Sequence, residues 1–291
     1  MPQRNFTQDL SQKDMPGAVF VIKLLFKQPT PQPDQETMLN SLRKHVGEVE
    51  CFWHDAKGAG FSALQYTAHF KDADLPPQLM ITSGQPFSGN TVDDFTRSQM
   101  WDCQQERDTI LNDCQYQIIA TDMMAAVLEP QERANLDMDF LMALLDMFPD
   151  CLAVYFFNSG KMFLADDIRS QQINGIDRFI KFAVNARFFT IQGSEDMLVD
   201  TLGMSTLFLP DLQYHFRGMN PNQVVNHAYC IASYILANDN PIKSGDTIDA
   251  IVNGQFSQSV QWRCQYENAL IQPAREVIDI YMNEYAAGQR D

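Results

Sequence analysis

Alternation of apolar and polar residues predicts the element around which the chain is organised, residues 179–216. Between residues 180 and 188 every second residue is apolar, and the positions between them include Asn185 and Arg187. A period of two predicts a strand with one apolar face, so Asn185 and Arg187 share the opposite face. A second short strand is predicted at residues 213–216.

The residues between these two strands predict a short helix. Ser194 is a favourable N-cap, because its hydroxyl can accept a hydrogen bond from a free backbone N–H of the first turn. Glu195 and Asp196 follow, where the helix dipole favours negative charge. Gly203 is expected to end the helix with a positive φ. The buried stripe of this helix is expected to consist of Met197, Leu198, Thr201 and Leu202.

Patterns elsewhere predict both strands and helices. Residues 18–27 form a nearly continuous apolar run, typical of a strand that is covered on both faces. Asp34 follows a proline-rich connector and can cap a helix that Gly47 ends. The clearest helix is predicted at residues 131–148, where apolar residues recur at every fourth position. Further helices are predicted at residues 101–111, from Asn220 and Pro221 onward, and from Pro273 to residue 285, with a loop-rich stretch at residues 243–258.

The order of these elements predicts an α+β fold with mainly antiparallel sheets and helices packed on one face of each sheet. Residues 18–100 read as a small β-α-β-β-β lobe, and residues 101–291 as a larger α+β lobe. Residues 83–100 have little periodicity and are the expected seam between the lobes, which can share one core. Residues 1–17 are expected to form a flexible arm.

The charge of the chain narrows the classes of partner. The 291 residues include 37 Asp and Glu against 21 Lys and Arg, which gives a net charge of −16. Nucleic acids and anionic membranes are polyanions and repel such a surface. The composition therefore predicts no nucleic-acid or membrane partner, and it suits a protein partner, in particular a basic one.

Other features predict a cytoplasmic location. The first 17 residues are polar and lack the pattern of a signal peptide. No apolar run approaches the roughly 20 residues that span a bilayer. The cysteines are scattered and form no CxxC pair, so we expect free, mostly buried thiols.

Motifs for metal, cofactor or nucleophilic chemistry are missing. The sequence contains no HExxH, GxSxG, GxGxxG or Walker pattern, and no cysteine stands at ligand spacing to a histidine. The Ser159-Gly160-Lys161 corner is interpreted as an ordinary turn. We therefore predict no metal site, no cofactor and no catalytic residue.

A group of charged residues near residue 187 has two interpretations. It could be an anion or substrate site built from Asn185 and Arg187 with nearby acids, or it could be a structural ion pair with acids that serve a helix N-terminus. The candidate binding residues are Asn185, Arg187, Asp196, Asp200, Asp211, His215 and His227.

Three segments carry a family resemblance: FPDCLAVYFFNSGKMF, FAVNARFFTIQGSEDMLVDTLGMSTLFLPDLQYHF and NPNQVVNHAYCIASYI. Together they resemble a bacterial family of domains of unknown function, numbered 4261. The resemblance extends from about residue 18 to residue 286, and its most specific part is VDTLGMSTLFLPDLQ. The resemblance implies a shape and a bacterial source. It implies no activity, because none is established for the family.

Two functions remain compatible with the sequence. The first is a non-catalytic protein-binding module, for example an immunity protein that covers a toxin. The second is an enzyme or small-molecule-binding protein with its site around Asn185, Arg187, Asp196, Asp200 and His215. Convergence of these side chains on a concave pocket would favour the second function.

Overall fold

The structure, a computed structural model, describes residues 19–288. These residues divide into two compact units, 19–183 and 184–288. Each unit is built on a mainly antiparallel sheet with helices, so the predicted α+β class is confirmed. The predicted arm at residues 1–17 lies outside the described residues.

The first unit contains a sheet whose strands follow the order β10-β9-β1-β8-β6-β3-β2, antiparallel throughout, with β7 beside β8. The strands of this unit, including two that lie outside that sheet (β4 and β5), are β1 (Val21–Phe26), β2 (Val49–Asp55), β3 (Gly58–Ala63), β4 (Ala68–His69), β5 (Asp74–Leu75), β6 (Gln78–Thr82), β7 (Gln85–Pro86), β8 (Tyr116–Met123), β9 (Ala153–Phe156) and β10 (Lys161–Leu164). Its helices are α1 (Gln35–His45), α2 (Asp94–Ser98), α3 (Arg107–Asp113), α4 (Pro130–Met147), α5 (Ala165–Ser170) and α6 (Asp177–Ala183).

Strand β1 lies inside the sheet of this unit and is covered on both faces, as its apolar run predicts. It pairs with β8 on one edge and β9 on the other. Leu24 and Phe26 are buried on the face where the ring of Phe26 meets Phe148, with centroids 6.1 Å apart. Leu25 points to the opposite face and joins a second apolar cluster formed with residues 87–114. A strand with both faces covered needs apolar residues at nearly every position.

The expected lobe boundary near residue 100 differs from the division in the structure. Strand β6 precedes the seam at residues 83–100 and β8 follows it, yet the two are hydrogen-bonded neighbours in one sheet. The seam residues also contribute Val92 and Met100 to the second apolar cluster. The compact units therefore divide after residue 183 instead.

The second unit contains a six-stranded sheet in the order β11-β12-β13-β16-β15-β14. Strands β13 and β16 are parallel, and the other neighbouring strands of this sheet are antiparallel. Its strands are β11 (Asn185–Thr190), β12 (Met197–Leu202), β13 (Asp211–Phe216), β14 (Thr247–Val252), β15 (Gln255–Asn268) and β16 (Glu276–Tyr281), and its helix is α7 (Pro221–Ala237). Asn220 caps α7 as predicted, since its side chain accepts from the backbone N–H of Asn222 at 3.0 Å.

The short helix predicted after Ser194 is wrong, because Met197–Leu202 is strand β12. This strand pairs along both edges, with β11 and with β13, and residues 198–202 are buried on both faces. The Ser194 hydroxyl accepts from the backbone N–H of Asp196 at 3.1 Å, within a turn instead of a helix cap. Pairing with two neighbours outweighs the local capping signal.

Three other sequence predictions are corrected in part. Residues 177–183 form helix α6 and only Asn185–Thr190 forms the strand, because Phe179, Phe182 and Ala183 are buried at helical spacing. The helix predicted from Pro273 is instead strand β16, which pairs with β13 and β15. The helix predicted at 101–111 is a 3-10 turn followed by α3.

The stretch at residues 243–258 is also more ordered than its loop-like composition predicts. It contributes β14 and the first part of β15, joined by a turn at Asn253 and Gly254. Both turn residues have positive φ, 53° and 79°, as a two-residue hairpin turn requires. Gly203 also has positive φ, 138°, where β12 leads into a 3-10 turn.

We expect Gly203→Val to lower the free energy of unfolding by about 2 kcal/mol, because a β-branched side chain resists positive φ. Gly254→Val should destabilise for the same reason. Circular dichroism melts will show both effects as a fall in melting temperature of several degrees. The matched control is Gln258→Val, an exposed position of the same hairpin with negative φ. Equal melting temperatures for Gly203→Val and the wild type would contradict the prediction.

Candidate functional site

The candidate residues predicted from sequence all lie in the second unit. Register places Arg187 of β11 opposite Asp200 of β12, Asp200 opposite Gln213 of β13, and Gln213 opposite Asp279 of β16. Residues paired in this way point to one face of a sheet. A row of buried polar side chains therefore crosses four strands. Within it the amide of Gln213 donates to Asp279 at 3.1 Å.

The guanidinium group of Arg187 is engaged inside the protein. Its Nε donates to Oδ1 of Asp200 at 2.8 Å, and its Nη2 donates to Oδ2 of the same carboxylate. The third nitrogen, Nη1, donates to the backbone carbonyl of Gln272 at 2.8 Å. This fork-to-fork geometry matches the planar guanidinium to the planar carboxylate. Arg187 is thus held as a structural ion pair.

Arg275 is a partner that sequence patterns did not reveal. Its Nη2 donates to Oδ2 of Asp200 at 2.7 Å, and its Nε donates to Oδ2 of Asp211 at 3.1 Å. Its Nη1 donates to the carbonyls of Ile271 and Pro273 at 3.0 and 2.9 Å. The four charged groups therefore form one buried network, which fastens residues 271–275 to the sheet. No local pattern marks Arg275, because its partners are 64 and 75 residues away in the chain.

The Asp211 carboxylate completes the network. Its Oδ1 accepts from the Thr201 hydroxyl at 3.0 Å and from the backbone N–H of Met204 at 3.2 Å. Burial raises the pKa of Asp211, whereas Arg275 and these hydrogen bonds oppose the rise. This carboxylate makes these hydrogen bonds and its ion pair with Arg275 inside the protein. The network consequently presents no open charge to a ligand.

The remaining candidates do not join this network. Asp196 lies at the opposite end of β12, where its carboxylate is 3.5 Å from Nε2 of His215 and 3.3 Å from Nε of Arg217. Asn185 is buried at the start of β11, opposite Leu202. Among the candidates, Arg187, Asp200 and Asp211 are the ones that share the buried network.

His227 takes part in a separate, neutral hydrogen-bond chain. Its Nδ1 lies 2.8 Å from the Tyr214 hydroxyl, and its Nε2 lies 2.9 Å from the carbonyl of Asp249. The carbonyl can only accept, so Nε2 carries the proton and Nδ1 accepts from Tyr214. The ring also stacks on Phe256 at 4.9 Å. Burial lowers the pKa of His227 to about 4, so the side chain is neutral at physiological pH.

The first unit contains a second buried charged group that sequence reasoning missed. Arg133 of α4 donates to Asp122 of β8 at 2.7 Å, and Asp122 also accepts from the backbone N–H of Phe20 at 2.6 Å. Asp137 lies 4.0 Å from the same guanidinium, and neither of its oxygens has a hydrogen-bond partner among residues 19–288. Burial raises the pKa of Asp137 well above its usual range. This favours a neutral carboxyl inside α4.

A groove lies in the first unit, whereas the predicted candidates all belong to the second unit. This groove has a volume of about 660 Å³ and is lined by residues from 29–34, 54–56 and 83–86 together with Tyr116. We call it the connector groove, after the proline-rich connector that forms one wall. Within residues 19–288, no group of His, Cys, Asp and Glu side chains is arranged to hold a metal ion.

Part of the chain matches the model of a known protein family. Residues 200–281 match the model of the family described as Domain of unknown function (DUF4261), which confirms the predicted resemblance to this family over that segment. The matched segment contains Asp200, Asp211, Arg275 and His227, and hence most of the buried network. No curated protein and no solved structure matches the chain.

We expect Asp200→Asn to lower the free energy of unfolding by about 3 kcal/mol, because it leaves two buried guanidinium groups without their shared carboxylate. Chemical denaturation of the variant and the wild type will measure the difference. The matched control is Asp166→Asn, which removes the partner of Arg169 in an ion pair where the carboxylate is 91% exposed. The control should leave the unfolding midpoint unchanged. A stable Asp200→Asn variant would show that the network is dispensable.

We expect His227 to make the protein acid-sensitive. Its folded pKa of about 4 lies below the unfolded value of about 6.5, so the unfolded state binds the proton first as the pH falls. The stabilisation is complete above about pH 6.5 and declines by about 3 kcal/mol towards pH 4. Denaturant unfolding at several pH values should show that His227→Gln removes this part of the slope.

The control for that measurement is His69→Gln, since the His69 side chain is 74% exposed. The control variant should retain the slope of the wild type. A His227→Gln variant with an unchanged slope would exclude His227 as the source of the acid sensitivity.

Proposed function

We propose that this chain, whose residues 200–281 match the DUF4261 family model, acts by binding another protein and has no catalytic role. The proposed setting is the cytoplasm of a bacterium. The observation that carries the proposal is the saturation of the buried charge network. Arg187 was the cation expected to anchor a substrate, and its three guanidinium nitrogens donate to groups within the protein.

The charge of the chain supports a basic protein as the partner. The net charge is −16, and surface electrostatics of one sign accelerate association with a partner of the opposite sign. Nucleic acid and anionic lipid would be repelled by the same surface. Within residues 19–288, no helix combines the length and the apolar character needed to cross a bilayer.

Exposed aromatic side chains could supply the anchoring contacts of such an interface. Aromatic residues are enriched among the side chains that dominate binding energy at protein interfaces. Several large rings are more than two-fifths exposed: Phe52, Trp101, Phe157, Phe208, Tyr234, Phe256 and Tyr281. An acidic immunity protein that covers a basic toxin is one concrete form of this function, by analogy of class.

Affinity purification from cells of the source organism will test the proposal. Tagged protein should recover a partner with a net positive charge in a fixed stoichiometry, more efficiently at low salt than at physiological salt. The control bait is an unrelated acidic protein with the same net charge, which should not recover this partner. Failure to recover any stable partner at either salt concentration would overturn the proposal.

A further inference from the structure

The connector groove is formed where three loops meet at one end of the first sheet. The connector after β1, the turn between β2 and β3, and the loop after β6 supply its walls, and Tyr116 of β8 also lines it. The lining includes the rigid rings of Pro29, Pro33 and Pro86 and the aromatic ring of Tyr116. The groove therefore combines flat apolar surfaces with the loop polar groups described below.

The walls of the groove are held by hydrogen bonds across the loops. The amide of Gln32 donates to the carbonyl of Gly58 at 3.2 Å, and Ser83 N–H donates to the carbonyl of Lys57 at 2.8 Å. Nε2 of His54 lies 3.3 Å from the carbonyl of Pro33. Walls that are already fixed reduce the ordering cost of binding.

The charge of the groove is negative. Asp34 and Asp55 are among its lining residues, and no Lys or Arg is. The backbone N–H of Thr37 lowers the pKa of Asp34, and the N–H of Lys57 lowers that of Asp55. Both carboxylates are therefore ionised at neutral pH. Lys57 also contributes to the lowered pKa of Asp55 but does not line the groove.

Both carboxylates keep capacity for a ligand. Asp34 is exposed and accepts from the N–H and the hydroxyl of Thr37 at 2.9 and 3.1 Å. Asp55 is exposed and accepts from Lys57 N–H at 2.7 Å. An ionised carboxylate offers about four acceptor positions, so each can accept further hydrogen bonds from a cation.

We propose that the connector groove binds an arginine side chain within an extended, basic segment of a partner protein. The inference rests on the proposed function, since it specifies where the partner docks and with what chemistry. A guanidinium group donates in a planar fork to carboxylates and also stacks on aromatic rings. Lysine offers a point charge and lacks the planar face. The groove is partly open to solvent, which suits a peptide segment more than an enclosed small molecule.

Titration with a defined peptide tests this proposal. The probe is acetyl-Pro-Arg-Pro-Arg-Pro-amide, in which proline favours an extended backbone. Its neutral counterpart carries citrulline in place of arginine. Nuclear magnetic resonance of labelled full-length protein should show shifts at Ala56, Gly84 and Tyr116, and the citrulline peptide should bind about tenfold more weakly or worse.

The matched variants separate the groove from the general charge of the protein. Asp34→Ser with Asp55→Asn removes both groove charges, and serine preserves the N-cap of α1. Asp72→Asn with Glu106→Gln removes two exposed charges elsewhere in the same unit. We expect the groove variant to lose about tenfold in affinity, and the control pair to lose much less.

The outcomes distinguish this inference from the proposed function. Equal binding of the arginine and citrulline peptides, or equal losses in the two variants, would overturn the groove assignment. A partner recovered equally by wild type and groove variant would overturn it as well, while the proposed function would stand. Absence of any cellular partner would overturn the proposed function alone, provided that the peptide still requires Asp34 and Asp55.

Discussion

The shared carboxylate of Asp200 is the constraint on which the second unit depends. Two guanidinium groups, from β11 and from the segment before β16, converge on it inside the sheet. Burial of charges is costly, and mutual attraction offsets the cost only when donors and acceptors are nearly all matched. Arg275 meets this condition with two carboxylates and three backbone carbonyls. The network therefore fixes how residues 271–275 lie on the sheet, and with them the start of β16.

The Asp200 network and the connector groove differ in whether their charged side chains can contact a ligand. Arg187, Asp200 and Asp211 are candidate binding residues in the sequence, yet their side chains are buried and donate or accept hydrogen bonds inside the protein. Asp34 and Asp55 look ordinary, as a helix cap and a turn residue, but both remain exposed in a groove without a cation in its lining. Whether a charged group can contact a ligand depends on what surrounds it. In the groove, two carboxylates face solvent beside rigid apolar walls.

Buried polar groups in the two units are accommodated in different ways. The Asp200 network is ionic, and the Tyr214–His227–Asp249 chain is neutral because burial disfavours the imidazolium form. In the first unit Arg133 is shared between Asp122 and Asp137, and burial raises the pKa of both carboxyls. Each arrangement ties a helix or loop to a sheet, so these residues specify how the elements pack. The shifted pKa values of His227, Asp122 and Asp137 make stability depend on pH without requiring any catalytic role.

The sequence by itself determined the features that depend on local interactions. Apolar periodicity located α4 and α7, and the capping side chains of Asp34 and Asn220 fixed where α1 and α7 begin. The family resemblance and the α+β class also followed from the sequence.

Tertiary structure decided the rest. Residues 197–202 carry helix-like caps but become a strand because both edges find partners, and the same holds for residues 276–281. The contacts of Arg187 include the carbonyl of Gln272, which lies 85 residues away along the chain. Pairing across such distances leaves no periodic signal, since its energy arises only when the strands are already side by side.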